Sequence, residues 1–414
     1  APRLGTQPTY KDHPQSLFTL LYADHRMNVH EEVTQMCPPR MCGPHGSTNV
    51  IERLSHGRVA RFNRALDGIR GGDPPVLTFV HAFFPHEPRQ YLPSGASYQA
   101  GPDLEPALDG PPSFTNEWLT EQSLQRTLLQ MMFTDTLVGR LVKRLKDTRQ
   151  WDKSLLVITA DHGESFQRKR TPAKAFKVGH LHWRRAVSSA NLGEIAPVPL
   201  FVKYPDQREG QVDPRFVKTI DVLPTIADVT QHPATWSLAG RSLRDPDYKG
   251  QAAVSVAETF GGAVSMPADR WLLKVADFRR RTLSLFPARA GIGPIYGIGP
   301  RPDLGGRPLS DFTLLPRGQV HATLYKPERW RDVHTSSWLL PLHVTGRITG
   351  GNPDGRKLAV AVNGVIVATG WGFRPMGATR WSISILIPQS VLRSGRNDVR
   401  IYEPEGQSTL RRLA

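Results

Sequence analysis

Cysteine is nearly absent from this chain: 414 residues carry two, Cys37 and Cys42, in "CPPRMC". Two thiolates cannot make a four-sulfur zinc site or a disulfide-dense scaffold. They leave three options open: a zinc shell helped by a nearby histidine such as His45, a local disulfide, or two free thiols. Long apolar runs are missing as well. No stretch reaches the ~18 residues that a membrane-spanning helix needs. No secretion signal is visible and the first residue is Ala1, so the chain reads as a mature product, a domain or a fragment. Neither a zinc-finger spacing nor an aromatic RNA-binding pattern occurs, and nucleic acid is not an expected partner. Acidic residues are the minority, 37 Asp and Glu against 53 Lys and Arg, a formal charge of +16. A surface of that sign favours anionic partners.

The length points to two or three domains, and the 39 % hydrophobic content supplies their cores. The 36 glycines and 36 prolines imply many turns and long connections. "VLTFVHAFF", residues 76–84, and "DKSLLVITA", residues 152–160, read as buried strands, with a long helix between them from Glu117 to about Arg149. That helix shows Leu124, Leu128, Met131, Met132, Leu137, Leu141 and Leu145 at spacings near three and four. Strand, helix, strand predicts an α/β fold with parallel strands. "VPLFVKYP" gives a further strand, and "TIDVLPTIADVTQ" a helix with Asp221 near its N-cap and Pro224 in the first turn. "RWLLKVADFRRRTLSLF" alternates like an antiparallel hairpin, and 286–335, Gly/Pro-rich at its start, reads as a linker and irregular segment. Residues 336–414 hold several strands with "VNGV" turn chemistry, the pattern of a small β-sandwich.

Three clusters can carry chemistry. In "VITADHGESF" a strand delivers Asp161 and His162 at its carboxyl end, where α/β sheets bind ligands, and both are good ligands for a divalent cation. Gly163 would let the backbone turn sharply behind them. His86 in "HAFFPHEP" follows a strand by the same logic and could donate to an ester's leaving oxygen, while His81 falls inside that strand as buried structure. "GHLHWRRAV" gathers His180, His182, Arg184 and Arg185, and arginine pairs bind oxyanions bidentately. Each has a plainer reading: a polar strand end, a surface-loop histidine, a solvated basic loop.

Taken in order, "VLTFVHAFFPHEPRQYLPSG", the long helix, "DKSLLVITADHGESF", "EIAPVPLFVKYPDQREGQVD", "TIDVLPTIADVT" and "LAGRSL" resemble the sulfatase family of the alkaline phosphatase superfamily. Lipoteichoic acid synthases and phosphoethanolamine transferases share that superfamily. The resemblance covers about residues 10–245. It implies a sulfatase-like sheet flanked by helices, incomplete at the N-terminus, over residues 1–285. It implies that Asp161 and His162 are metal ligands for Ca, Mn or Zn, that His86 contacts the ester, and that His182, Arg184 or Arg185 meets the sulfate or phosphate. Asp221 and Pro224 would be structural. The family's first metal acids and its nucleophile have no counterpart here, since Cys37 lacks the C/S-x-P-x-R context. The chain therefore reads as N-terminally truncated, and no ester turnover is expected of it as written. The expected function is sulfate-ester hydrolysis, with phospho-group transfer or an inactive binding module as alternatives. The expected substrate is an anionic ester, on a cell-envelope glycan or lipid. The expected location is extracytoplasmic and membrane-anchored through an absent N-terminal part. That habit, with their closeness in sequence, favours a Cys37–Cys42 disulfide.

Overall fold

A computed structural model of the chain describes residues 26–31, the backbone only for these six, and 58–72, 76–82, 84–98, 116–167, 187–257, 263–286, 293–351, 355–374 and 379–414. In chain order the principal elements are β1 (Arg26–Glu31), α1 (Arg58–Gly68), β2 (Val76–His81), α2 (Glu117–Asp147), β3 (Leu156–Thr159), α3 (Leu192–Ile195), β4 (Leu200–Lys203), α4 (Val222–Val229), β5 (Ala253–Ala257), β6 (Ala263–Pro267) and α5 (Ala268–Leu285). They continue with β7 (Thr313–Leu315), β8 (His321–Leu324), β9 (His343–Thr349), β10 (Lys357–Val362), β11 (Val365–Trp371), β12 (Trp381–Leu386), β13 (Val399–Pro404) and β14 (Thr409–Arg412). This is the mixed α/β architecture the sequence predicts. The chain divides into two compact units, residues 1–83, 138–163 and 195–272 in one, and 84–137, 164–194 and 273–414 in the other.

In the first unit β1 and β2 pair in parallel, Arg26 opposite Val76 through Glu31 opposite His81. α1 buries Phe62, Ala65 and Leu66, three positions of one helical stripe. Its last turn leaves carbonyls without helical partners. Arg144 meets them: Nε lies 3.1 Å from the oxygens of both Leu66 and Ile69, and Nη2 lies 3.2 Å from that of Asp67. A cation at a helix C-terminus also suits the helix dipole. β3 pairs with β4 antiparallel. Beyond the strand ends, Gly163 N–H donates to Ile195 O at 2.7 Å, which continues the antiparallel return of the chain.

α4 starts on Asp221, which is fully buried. The carboxylate accepts from the amides of Lys218 (2.8 Å) and Arg241 (3.0 Å) and from the Tyr248 hydroxyl (2.7 Å). Burial, then the bond to Asp221, raises the Tyr248 phenol above its ordinary value. The Arg241 amide reaches this carboxylate because Gly240 has no side chain: a Cβ there would sit 2.2 Å from Ile220 O. The spaced "ID..PT" and "GRSL" signatures are thus one packed cap.

The second unit is built on the sandwich. A five-stranded sheet runs β11-β10-β13-β14-β7 and a three-stranded sheet β12-β9-β8. Leu358, Val360 and Val362 of β10 share one core with Val344 and Ile348 of β9 and Ile383 and Ile385 of β12. The alternate residues Ala359 and Ala361 are buried in a second cluster with Leu304 and Phe312. That is why β10, "KLAVAV", is apolar without alternation. Asn363 and Gly364 turn β10 into β11 with φ of 51° and 86°, the two-residue hairpin that "NG" encodes. The segment expected as a linker contributes to these cores through Ile295, Tyr296, Leu304 and Phe312. Strands β7 and β8 also precede residue 336.

The hairpin expected over 270–286 is helix α5. Trp271, Lys274, Val275, Phe278, Thr282 and Leu285 are its less exposed positions, a helical spacing, while Leu272 and Leu273 are exposed. Those solvent-facing leucines create the false alternation. A true hairpin, β5–β6, lies immediately before it.

Candidate metal and ester site

The end of β3 carries the first pair. Asp161 is exposed, with Oδ1 accepting from the His162 amide at 2.9 Å. The His162 Nδ1 lies 2.8 Å from Gly163 O. A carbonyl can only accept, so Nδ1 carries the ring proton and Nε2 of the neutral imidazole presents its lone pair. Nε2 lies 3.6 Å from Asp161 Oδ2. The expected convergence of the two side chains is present, and it is held from behind, because the Gly163 peptide is itself anchored on Ile195. Gly163 is not among the positive-φ glycines, so the turn needs no left-handed backbone.

An oxygen and a nitrogen lone pair side by side suit a divalent cation, and a ring fixed through its other nitrogen is the usual arrangement of a ligating histidine. Two ligands are present. Among the described residues no group of three or more His, Cys, Asp or Glu comes together.

His86 belongs to the second unit. It is half-buried, with Nδ1 2.8 Å from Glu87 O. Its loop is held by α2. Gln130 Nε2 donates to the carbonyls of Pro85 (2.9 Å) and His86 (2.7 Å), and Gln130 Oε1 accepts from the Gln90 amide at 3.0 Å. Phe84, Tyr91 and Phe133 pack ring to ring beside it, with centroids 5.2 to 5.6 Å apart.

Arg89 is buried in the same unit. Its guanidinium pairs with Glu164 and lies 3.3 Å from Glu87 Oε1 and 3.3 Å from Ser123 Oγ. Glu164 stands two residues after His162. Buried Glu194 accepts from Ser165 Oγ (3.0 Å), Phe166 N (2.7 Å) and Arg281 Nη2 (2.9 Å), which fixes the chain that follows. Sequence reasoning missed Gln130, Arg89 and Glu194. Only Gln130 has a visible signal, a run of polar residues (Gln122, Ser123, Gln125, Arg126) on the long helix α2 that carries it.

His180, His182, Arg184 and Arg185 lie outside the described residues, as do Cys37 and Cys42. His81, expected to be buried, is exposed at the end of β2. Asp221 and Pro224 are buried in the α4 cap.

Residues 56–232 match the family model described as Sulfatase. Over these residues the chain is similar to the sulfatase family. The matched segment contains Asp161, His162, His86, positions 182–185 and α4 with Asp221, but not the Gly240–Tyr248 side of its cap. Arylsulfatase K of Gallus gallus is 28 % identical over 111 residues, which is 27 % of this chain and 18 % of that protein. A multifunctional alkaline phosphatase superfamily protein, PehA, of Trinickia caryophylli is 31 % identical over 111 residues, 26 % of this chain and 19 % of that protein. The chain thus spans under a fifth of the length of these curated relatives. Among solved structures, a phosphonate monoester hydrolase from Silicibacter pomeroyi superposes with a TM-score of 0.33 at 19 % identity, covering 55 % of this chain and 59 % of that one.

Proposed function

We propose that this chain supplies the cation-binding part of an enzyme that hydrolyses sulfate esters. The observation that carries this is the Asp161–His162 pair, in which the Gly163 carbonyl fixes the imidazole tautomer that turns Nε2 toward the carboxylate. Asp161 and His162 would hold the cation, of the Ca, Mn or Zn kind. A bound cation supplies Lewis-acid stabilisation to ester oxygens and lowers the pKa of an attacking hydroxyl. His86 gives a proton to the leaving oxygen, held in place by Gln130 through the loop backbone. Arg184 and Arg185, with His182, offset the charge of the ester group. The substrate is an anionic ester on a glycan or lipid of the cell envelope, met outside the cytoplasm, and the +16 net charge favours its approach. Esters of phosphorus are the second reading, favoured by the 31 % identity to an alkaline phosphatase superfamily protein.

Calorimetric titration of the purified chain with calcium, manganese and zinc tests the site. Asp161→Ala and His162→Ala should each weaken the bound metal by about tenfold or more, without moving the unfolding midpoint. Sulfate and phosphate are then titrated into the metal-loaded chain. Tighter sulfate supports the first reading, and tighter phosphate the second. Metal affinity equal to wild type in both variants would remove the pair from the site.

A further inference from the structure

The sandwich carries a cleft that the sulfatase-family segment does not include. It lies at one end of the β9–β12 pair, where Ile348 is opposite Trp381 and Arg347 opposite Ser382. Its volume is about 320 Å³, and Arg347, Thr349, Thr379, Arg380 and Trp381 line it. Both arginines and both threonines are exposed, and no carboxylate is among the described lining residues. A third guanidinium, that of Arg374, sits 5.5 Å above the Trp381 ring. The wall is fixed by Gly350, whose φ is +78° and where a Cβ would lie 1.9 Å from Gln319 O.

We propose that this cleft binds an anionic sugar unit, one bearing a sulfate or a carboxylate. Guanidinium forks take such oxyanions bidentately, and the two threonine hydroxyls can donate to or accept from sugar hydroxyls. A nucleic-acid strand fits the site less well. The one aromatic ring is half-buried with Arg374 over a face, so no platform remains for base stacking. The volume is at the small end for ligand sites, the size of a single charged unit. The choice of a sugar rests on the sulfate-ester reading, whereas the anion-binding chemistry stands on the cleft alone. The site is a second hold on a sulfated chain, built from residues other than Asp161 and His162.

A heparin-derived tetrasaccharide is the probe, with a neutral tetrasaccharide and a single-stranded oligonucleotide of equal charge beside it. Binding is read by calorimetry on the full chain without added metal. Arg347→Gln/Arg380→Gln should weaken the heparin fragment by about tenfold or more, the loss of two charge-assisted bonds. Arg331→Gln/Arg396→Gln, which removes the same charge from exposed positions elsewhere in the unit, should leave it within about twofold, in line with the small effect of unpaired surface charges. Arg380→Lys keeps the charge and loses the fork, and should still bind several-fold more weakly. Asp161→Ala should bind as wild type, so a failed metal site and a failed cleft give different patterns. Equal losses in the two double variants, tighter binding of the oligonucleotide, or no binding by wild type would each overturn the proposal.

Discussion

Replacing Asp221 by alanine should be among the most damaging single changes to the first unit. The carboxylate is fully buried and accepts three hydrogen bonds, from the amides of Lys218 and Arg241 and from the Tyr248 hydroxyl. Alanine leaves those three donors, the Tyr248 hydroxyl buried and the two amides part-buried, without that acceptor. Each such loss costs about 1–3 kcal/mol. Tyr248 has some relief, because its oxygen also accepts from Gln251 Nε2 at 3.0 Å, but that bond does not use its proton. The sum is roughly 3–6 kcal/mol once partial relaxation is allowed. Against a usual domain stability of about 5–15 kcal/mol, that is enough to populate unfolded chains. Asp221→Asn separates the contributions. Its one oxygen can satisfy one side of the cap, while its NH2 must face a donor on the other, so its loss should fall between wild type and alanine. Urea unfolding followed by tryptophan fluorescence gives the shift in midpoint at constant slope. A loss below about 1 kcal/mol for Asp221→Ala, or an asparagine variant as damaged as alanine, would refute the account of three satisfied donors.

The other expectations rest on separate parts of the molecule. Gly240→Ala pushes a Cβ against Ile220 and should cost a similar few kcal/mol, but much less once Asp221→Ala has already broken the cap, a non-additivity that a double-mutant cycle reads directly. His343 is buried, and burial, then Arg126 and Arg329, holds its imidazole well below the ordinary value. The unfolded chain takes up a proton below about pH 6.5 that the folded chain refuses, so stability falls as the pH drops from there toward the folded value. His343→Gln should flatten that part of the curve, and an unchanged difference between pH 8 and pH 5 would count against it. Gln130→Leu removes the acceptor of the Gln90 amide and the donor to the His86 carbonyl. It should speed hydrogen exchange at Gln90 by about tenfold or more, with exchange at the β9–β12 pair unmoved.

The pieces of the candidate site were legible because each is set by a few neighbouring residues. An apolar run ending in Asp161-His162 already names a strand tip with two candidate ligands, and the structure adds only the peptide that orients the ring. Asn363-Gly364 names its own turn in the same way. Where long-range packing decides, local pattern misleads. The α5 leucines at 272 and 273 face water, so apolar alternation there reported nothing about a sheet. The long helix α2 shows the point most sharply. Its existence follows from the spacing of Leu124, Leu128, Met131, Met132, Leu137, Leu141 and Leu145, yet Met131 and Met132 are 49 % and 38 % exposed. Leu124, Leu137 and Leu145 are buried as expected, but so are Gln122, Ser123, Gln125, Arg126 and Gln130. Polar groups at that depth are tolerable only when bonded. Gln125 reaches Ile295 O at 2.5 Å, Arg126 reaches Arg89 O at 2.7 Å, and Gln130 holds the Pro85–His86 carbonyls. The bonded partners lie 37 to 170 residues away in the chain, beyond any local period. A hydrophobic reading therefore finds such a helix and still assigns its solvent side to the core. The residues it discards as surface are those that fix the loop carrying His86, so a buried polar patch inside a helix that holds a neighbouring loop is the feature to seek first in sequences of this kind.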